Sequence, residues 1–457
     1  MFWDEILYLH YDKWNYINFK RIMKTKILLQ IFLLPLFILS QQVSFTEFDL
    51  ENGLHVIMHQ DNSAPVVITS VMYDVGGKDR AEGRTGFAHF FEHLLFEGSE
   101  NIGRGEFMKI IPANGGTFNA YTSNDETYYY EIFPSNKLEL GLWMESERML
   151  HPVIDQVGVD TQREVVKEEK RQRYDSPYGQ LFKVLGENLF KVHPYKDENI
   201  GKMEHINAAT LDEFMVYFDK YYTPTNAVLV VAGDIDLEET KGLVEKYFSD
   251  VKPRPKPTRS FPKEDPINEV SRVQAYDQNI QIPAILAAYR TPGFTERDAY
   301  VLDMISTYLS GGKSSVLYKK LVDQQKQALQ IAAINLSQRE YSMFTFFALP
   351  LGEVSLDTLL EEIDEEIVKV QNELISERDY QKLLNQFEAQ FVNSNSSVEG
   401  IANSLAKYYL LHNDVNLINK YIDIYRSIDR EEIREVAKKY LSTNQRVEIE
   451  YLVGSAN

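Results

Sequence analysis

A cluster of five prolines near the middle of the chain constrains the fold more than any other sequence feature. Proline lacks a backbone N–H and has a fixed φ, so residues 250–269 favour an extended, semi-rigid linker over the interior of a helix or strand. With 457 residues, the chain is long enough for two domains of roughly 200 residues each. We therefore place a domain boundary at residues 250–269. The prolines are Pro253, Pro255, Pro257, Pro262 and Pro266.

Strand and helix patterns alternate on both sides of this linker. On the N-terminal side, helices are predicted at residues 85–96 and 161–174. On the C-terminal side the order partly repeats, with a strand at 284–289 and a long helix at 298–309. The pattern predicts a duplicated α+β unit, residues 43–249 and 270–457, in which each half is a mostly antiparallel sheet with helices packed on one face.

Residues 1–40 are left out of the predicted fold. After Met23, two lysines precede an apolar run at residues 27–39, a pattern typical of a secretory signal peptide. The run is shorter than the roughly 20 residues that span a membrane, so no stable membrane span is expected after signal cleavage. Met23 is an alternative start to Met1. We expect the mature protein to be exported, either periplasmic or secreted.

Charge and cysteine content narrow the possible functions. The chain has 48 basic and 68 acidic residues, a net charge of −20, and such a field repels nucleic acid. There are no cysteines, which excludes disulfides, thiol nucleophiles and thiolate metal sites. Histidines and carboxylates are therefore the available metal ligands.

The sharpest local signal is His89-Phe90-Phe91-Glu92-His93. Positions four apart lie on one face of a helix, so both imidazoles can reach one metal ion while Glu92 lies beside His93. Two imidazoles and a carboxylate hold zinc with a fourth position open for water, and a second carboxylate can move that water's proton. The alternative is that two histidines fall at helical spacing by chance.

A third metal ligand must come from another part of the chain. In the run from Gln162 to Lys170, Glu169 is predicted to share an inward face with Val165 and Val166, whereas Lys167 and Lys170 are predicted to point away. Glu169 is therefore the favoured ligand and Glu168 the second choice. The alternative is a solvated charged helix.

The arrangement resembles the pitrilysin/insulinase family of zinc metallopeptidases, which carry an inverted H-x-x-E-H motif. In that family a glutamate roughly 75 residues downstream completes the site, and 75 residues separate His93 from Glu169 here. The similarity runs from about residue 45 to the end of the chain. Further matching segments are Gly76-Gly77, 82–86, 94–98, 115–120, Asp175-Ser176-Pro177 and 309–318.

This resemblance implies two homologous ferredoxin-like domains, a catalytic one that binds Zn²⁺ and a non-catalytic one. It implies endopeptidase activity on oligopeptides or unfolded segments, with His89, His93 and Glu169 as zinc ligands and Glu92 as general base and later acid. It also implies an edge strand in residues 115–131 that pairs with an extended peptide. Asn119, Ala120 and Thr122 are the candidate substrate-binding positions, and the alternative is an ordinary hairpin.

The sequence departs from the family pattern at several positions. Gln162 stands where many members have a glutamate. Complete sites also use an Arg and a Tyr from the second half to stabilise the substrate carbonyl, but Val322 stands at the first position and Leu329 or Gln330 at the second. This indicates the metal-bearing subunit of a two-component peptidase whose homologous partner supplies the missing pair, with a homodimer as the alternative.

Two functions from other classes remain open. The chain could be a non-catalytic scaffold or peptide-binding subunit of the same fold, although scaffold relatives commonly lose one or more of the four site residues that this sequence retains. It could also be a protein that binds zinc or captures peptides without cleaving them.

Overall fold

The computed structural model describes residues 42–81 and 83–455. The segment predicted to be a signal peptide lies outside these residues. Within them, no helix combines the length and the apolar character that crossing a membrane requires. From Ser44 onward the chain forms one compact unit, in which we call residues 44–249 the first half and residues 270–455 the second half.

Each half contains one sheet. The first is six-stranded with the order β1-β2-β6-β3-β5-β4, and the second is five-stranded with the order β7-β11-β8-β10-β9. The strands of the first sheet are β1 (Thr46–Asp49), β2 (His55–Gln60), β3 (Val66–Tyr73), β4 (Thr117–Thr122), β5 (Thr127–Pro134) and β6 (Ala227–Gly233). Those of the second are β7 (Ser271–Asp277), β8 (Ala284–Pro292), β9 (Ala328–Leu336), β10 (Tyr341–Pro350) and β11 (Arg446–Val453).

The two sheets repeat one topology. Apart from β1, each strand of the first sheet has a counterpart in the same position of the second. Each sheet has one parallel pair, β2 with β6 and β7 with β11, and its other pairs are antiparallel. The predicted pair of mostly antiparallel α+β units is therefore confirmed.

Helices connect the strands and cover the sheets. In the first half they are α1 (Phe87–Leu94), α2 (Phe107–Ala113), α3 (Leu138–Leu150), α4 (Gln156–Asp175), α5 (Leu181–Leu189), α6 (Met203–Ala208), α7 (Leu211–Tyr221) and α8 (Leu237–Phe248). In the second half they are α9 (Arg297–Ser310), a π-helix (Tyr318–Gln324), α10 (Leu356–Asn372), α11 (Glu377–Ser394), α12 (Val398–His412), α13 (Leu417–Arg426) and α14 (Arg430–Tyr440).

The first sheet is covered on both faces, and the second half supplies one of the covers. Adjacent strand residues point to opposite faces. On β5, the Tyr129 hydroxyl bonds the Phe91 carbonyl of α1, while the Tyr130 hydroxyl bonds Glu399 of α12. On β2, the ring of His55 stacks on Tyr409 of α12 at 3.7 Å. Thus α1 lies against one face, and α12 of the second half lies against the other.

The second sheet receives the reciprocal cover. Leu185 and Leu189 of α5 pack with Leu286 of β8 and Ile449 of β11 in one buried cluster. Ile285, next to Leu286, belongs instead to the cluster formed with the second half's own helices. Each half therefore has its own helices on one face of its sheet and receives a helix from the other half on the opposite face.

The proline-rich segment contains no helix or strand. It is nevertheless anchored, because Arg259 forms an ion pair of 2.5 Å with Asp79 of the first half. Glu264 pairs with Arg290 of the second half at 3.1 Å and accepts backbone hydrogen bonds from residues 191–193. These contacts fix its path, whereas the domain boundary at 250–269 stays a prediction.

Candidate metal centre

Helix α1, which carries the two histidines, begins at a glycine that no other residue could easily replace. Gly86 has a φ of 88°, in the left-handed region. A Cβ there would also lie 2.7 Å from the carbonyl oxygen of Ile200. Both the backbone conformation and the close contact require glycine. The start of α1 is thereby fixed against the segment around Ile200. The helix runs Phe87–Leu94, shorter at both ends than the predicted 85–96.

Aromatic packing holds α1 in place. Phe87 and Phe90 each lie within 4.6 Å of the Phe214 ring of α7, measured between ring centroids. Phe91 stacks on Tyr217 of the same helix. These apolar side chains are buried, as the sequence predicted, and they leave His89, Glu92 and His93 for the opposite side of the helix.

The two histidines and Glu169 converge on one point. Glu169 Oε2 lies 3.5 Å from His89 Nε2 and 3.2 Å from His93 Nε2, and the three potential ligand atoms lie within 4.8 Å of one another. Ligand atoms about 2.1 Å from a tetrahedral zinc ion lie roughly 3.4 Å apart. The two distances from Glu169 bracket this value, and the two imidazole nitrogens lie within 4.8 Å of each other, so the donor set fits zinc in chemistry and is close to its spacing.

Helix α4 presents Glu169 to the histidines. Hydrogen bonds from His89 and His93 hold the pKa of this carboxyl well below its ordinary value. Val166, one turn earlier, is buried as predicted, but Val165 is 44% exposed, so its predicted inward position is wrong. Glu168, the second choice, pairs with Arg171 at 3.2 Å on the exposed side and does not belong to the cluster.

Glu92 occupies the position expected of a general base. It is half-buried on α1, and it makes no ion pair or hydrogen bond with any residue that the structure describes. Next to it, the Tyr129 hydroxyl donates a hydrogen bond of 2.9 Å to the Phe91 carbonyl. This bond stabilises the backbone of α1. Burial raises the pKa of Tyr129 well above its ordinary value, so this hydroxyl remains a donor.

A polar network not foreseen from the sequence ties α4 to the chain that follows α1. Gln162 of α4 donates its side-chain amide to the buried carboxylate of Glu97. Arg104 bonds the same carboxylate and pairs with Asp155, the N-cap of α4, at 2.9 Å. Because an amide can donate where a glutamate cannot, Gln162 is suited to this position. Asp155 also explains why α4 begins at Gln156 and not at the predicted 161.

Lys170 corrects a second prediction about α4. It was expected to point away from the core, but it is 5% exposed. Its ammonium lies 3.0 Å from Glu198 and 2.8 Å from the Tyr174 hydroxyl. A larger part of the α4 surface is therefore buried than the charge pattern predicted. Lys167 pairs with exposed Glu164.

Strand β4 lies at the edge of the first sheet, as the predicted peptide-pairing strand requires. Asn119 is exposed and Ala120 is half-buried, and the Ala120 N–H donates to the Asn119 side chain at 2.9 Å. Thr122 is buried with its hydroxyl unpartnered among the described residues. These positions are compatible with substrate contact, which stays a prediction.

The positions where the family would have an Arg and a Tyr lie in the second half. Val322 lies in the π-helix and packs against the core of the second half. Leu329 and Gln330 are exposed on β9, the edge strand that corresponds to β4. None of the three side chains is cationic, and among them only Gln330 has a hydrogen-bond donor, a neutral amide.

Known proteins match both halves. Residues 55–202 match the family model described as insulinase (peptidase family M16), and residues 208–387 match the peptidase M16 inactive domain. The chain is 30% identical over 403 residues to the zinc protease PqqE of Helicobacter pylori, covering 87% of this chain and 90% of that protein. It is 22% identical over 401 residues to a probable mitochondrial-processing peptidase subunit beta of Arabidopsis thaliana, covering 86% and 75%.

A solved structure agrees with these matches. The crystal structure of a protease from Helicobacter pylori superposes with a TM-score of 0.84 and 28% identity, covering 90% of this chain and 99% of that one. The sequence matches and the superposition confirm the family resemblance predicted from the sequence: the chain belongs to the insulinase (M16) family of peptidases.

Proposed function

We propose that this chain is a zinc-dependent endopeptidase that hydrolyses oligopeptides or unfolded polypeptide segments. One observation carries the proposal: His89, His93 and Glu169 converge with the spacing of zinc ligands, and Glu92 beside them has no partner among the described residues. The relatives named zinc proteases support it.

Each site residue would have a distinct role. His89 and His93 would hold zinc through Nε2 and Glu169 through Oε2, since these are the atoms that converge. When bound, zinc would supply Lewis-acid polarisation of a water molecule and of the scissile carbonyl. Glu92 would take a proton from the attacking water and later return it to the leaving amine.

Strand β4 would position the substrate. An extended peptide could add to this sheet edge by main-chain hydrogen bonds, close to α1 because both elements pack together. The Asn119 side chain occupies the Ala120 N–H, so it must rotate away before a peptide carbonyl can bind there. Asn119 would then act as a cover that the substrate displaces.

The chain would work as the metal-bearing subunit of a two-component enzyme. Val322, Leu329 and Gln330 leave the positions for carbonyl stabilisation without an Arg or a Tyr. A homologous partner would supply that pair, and the relative named as a subunit beta supports this division of labour. A homodimer is the alternative assembly.

The mature enzyme would be exported. The lysines and apolar run of residues 23–40 support a cleaved signal peptide. The mature protein would then act in the periplasm or outside the cell. Detection of a mature N-terminus near residue 41 by Edman or mass-spectrometric sequencing would support this, whereas an intact Met1 or Met23 in the purified protein would contradict it.

The decisive experiment measures zinc content and cleavage of a fluorogenic peptide by residues 41–457, with and without the homologous chain encoded nearest to it. Glu92→Gln should retain zinc and lose about 10²- to 10⁴-fold in rate, as expected for loss of a general base. Glu100→Gln, at an exposed position eight residues further on, is the matched control and should behave as wild type.

Each outcome separates the candidate functions. Partner-dependent cleavage that Glu92→Gln removes would support the two-component enzyme. Cleavage without any partner would support the homodimer. Zinc without cleavage in any combination would favour the scaffold or peptide-binding subunit, and absence of zinc would overturn the proposal.

A further inference from the structure

A cleft of about 620 Å³ lies between the two halves. Its first-half wall includes segments 123–126 and 197–199 and Arg173, and its second-half wall includes residues 335–338 and parts of helices α9, α12 and α13. None of its lining residues is His89, Glu92, His93 or Glu169. The cleft therefore does not include the residues of the proposed metal centre.

Asp303 on α9 is an uncompensated carboxylate in this cleft. Its two oxygens accept hydrogen bonds from the Asn335 amide at 2.8 Å and the Tyr425 hydroxyl at 3.0 Å, and the Ser337 side chain also bonds this carboxylate. No basic residue in the described part of the chain forms an ion pair with it. Burial raises the pKa of Asp303 to about 6, so the carboxylate is still mainly ionised at neutral pH.

Other carboxylates around the same cleft have cationic partners. Asp125 pairs with Lys78 at 2.6 Å, and Glu198 pairs with Lys170 at 3.0 Å. Asp303 is half-buried and differs from these neighbours because hydrogen bonds alone, without an ion pair in the described part of the chain, compensate its charge.

Aromatic rings surround this carboxylate. The rings of Tyr300 and Tyr425 lie 5.7 Å apart edge to face, and Tyr421 lies 6.5 Å from Tyr300 and 6.3 Å from Tyr408. Tyr425 is buried and stacks on Phe387 at 4.1 Å. The half-buried Tyr300 and Tyr408 are therefore the rings that the cleft can offer to a ligand. Tyrosine rings beside a carboxylate form an environment that binds ammonium and guanidinium groups. The combination is therefore suited to an organic cation.

Gln338 supplies an unused hydrogen-bond donor in the same cleft. Gln338 is only 8% exposed, and its side-chain N–H group has no partner among the described residues. Its amide oxygen is already occupied by Asn124. A buried amide donor of this kind is normally satisfied. Arg173, which also lines the cleft, forms no ion pair with any described residue.

We infer that the cleft binds a zwitterionic ligand of amino-acid type, with its cationic group between Asp303 and the tyrosines and its carboxylate toward Gln338 and Arg173. The ligand is either a free basic amino acid or the C-terminal residue of a short peptide. The site is distinct from the proposed peptidase activity and does not depend on zinc.

Calorimetric titration tests the inference with two probes, L-arginine and the tripeptide Ala-Ala-Arg. The protein is residues 41–457 carrying Glu92→Gln, so that the peptide is not hydrolysed. We expect at least one probe to bind, and Asp303→Asn to weaken binding about tenfold or more, the effect of losing a hydrogen bond to a charged group. Glu361→Gln, an exposed acid in the same half, is the matched control and should leave the affinity unchanged.

A second variant covers the case in which Asp303→Asn does not fold. Tyr300→Leu keeps the carboxylate but removes one ring face, and should also weaken binding. Binding of free arginine identifies an amino-acid site, whereas binding of the tripeptide alone identifies a peptide C-terminus. The inference is overturned if neither probe binds with a dissociation constant of 10 mM or less, which corresponds to a binding free energy of about 3 kcal/mol. It is also overturned if both variants bind the probes as tightly as the control does.

Discussion

Helices α1 and α9 occupy corresponding places in the two halves but have opposite electrostatic surroundings. Each follows a central strand, β3 or β8, and precedes an edge strand, β4 or β9. The histidines of α1 lie beside Glu169, whose pKa is lowered by their hydrogen bonds. On α9, Asp303 has no cationic partner among the residues that the structure describes, and burial raises its pKa. A repeated topology therefore supplies a position for chemistry, while the side chains decide what that chemistry is.

The two halves also differ in how they complete each other. The short helix α5 of the first half packs on the second sheet, and the longer helix α12 of the second half packs on the first sheet. Because each sheet depends on the other half for one of its covers, we expect the halves to unfold together. The cleft with Asp303 lies at this shared boundary.

The largest expected effect contrasts the two helices directly. His93→Ala should reduce zinc from about one ion per chain to a small fraction, because structural and catalytic sites both need at least three protein ligands. Asp303→Asn at the corresponding helix should leave zinc content unchanged. Atomic emission analysis of the purified proteins measures both, and His151→Ala serves as a control histidine. Equal zinc content in His93→Ala and wild type would show that His93 is not a zinc ligand.

The next effect concerns the side of α4 that faces the boundary between the halves. Lys170→Met leaves the buried carboxylate of Glu198 without its cation, and should lower the free energy of unfolding by about 3 kcal/mol. Lys167→Met, three residues earlier, removes only a pair with exposed Glu164 and should cost less than about 1 kcal/mol. Urea denaturation compares the two, and similar losses would contradict the burial of Lys170.

A third test uses the raised pKa of Asp303. Its folded-state pKa of about 6 lies above the ordinary 3.8, so the folded protein holds more protons than the unfolded chain between these values. The contribution of Asp303 is therefore most favourable below pH 4 and is lost as pH rises through about 6.

Replacement of Asp303 by asparagine should remove this pH dependence. Asp303→Asn should raise the free energy of unfolding by about 2 kcal/mol at pH 8, since a shift of one pKa unit corresponds to about 1.4 kcal/mol and the cleft gives partial solvent access. Below pH 4 it should have little effect. Thermal unfolding at a series of pH values shows the difference, and a constant offset across the range would argue against an uncompensated carboxylate.

The smallest expected effect concerns the hydrogen-bond network that supports the proposed metal centre. Gln162→Ala removes the amide that joins α4 to Glu97, and should weaken zinc affinity about tenfold, as loss of supporting hydrogen bonds does elsewhere. Gln172→Ala, on the exposed side of α4, is the control. Competition with a chromophoric chelator measures both affinities. If the two variants bind zinc equally well, the network does not position Glu169.

Local patterns predicted much of this fold. Strand β8 and helix α9 lie close to the predicted residues 284–289 and 298–309, because apolar spacing is a property of neighbouring residues. Helices α5 and α12 were not predicted. Both helices pack against the sheet of the opposite half, and the spacing of apolar residues along the chain does not predict such contacts. The start of α4 was missed because the cap Asp155 lies outside the apolar pattern.

By itself, the sequence predicted the candidate donor set: His89 and His93 four residues apart with Glu92 beside them, because helical periodicity places such residues on one face, and Glu169 as the favoured third ligand. Only the tertiary structure decided that His89, His93 and Glu169 converge, with Glu169 Oε2 within 3.5 Å of both imidazoles, that Val165 is exposed while Lys170 is buried, and that Asp303 lines the cleft without a cationic partner among the described residues. The physical reason is that the burial and pairing of a side chain depend on which distant segments pack against it, and spacing along the chain does not contain that information.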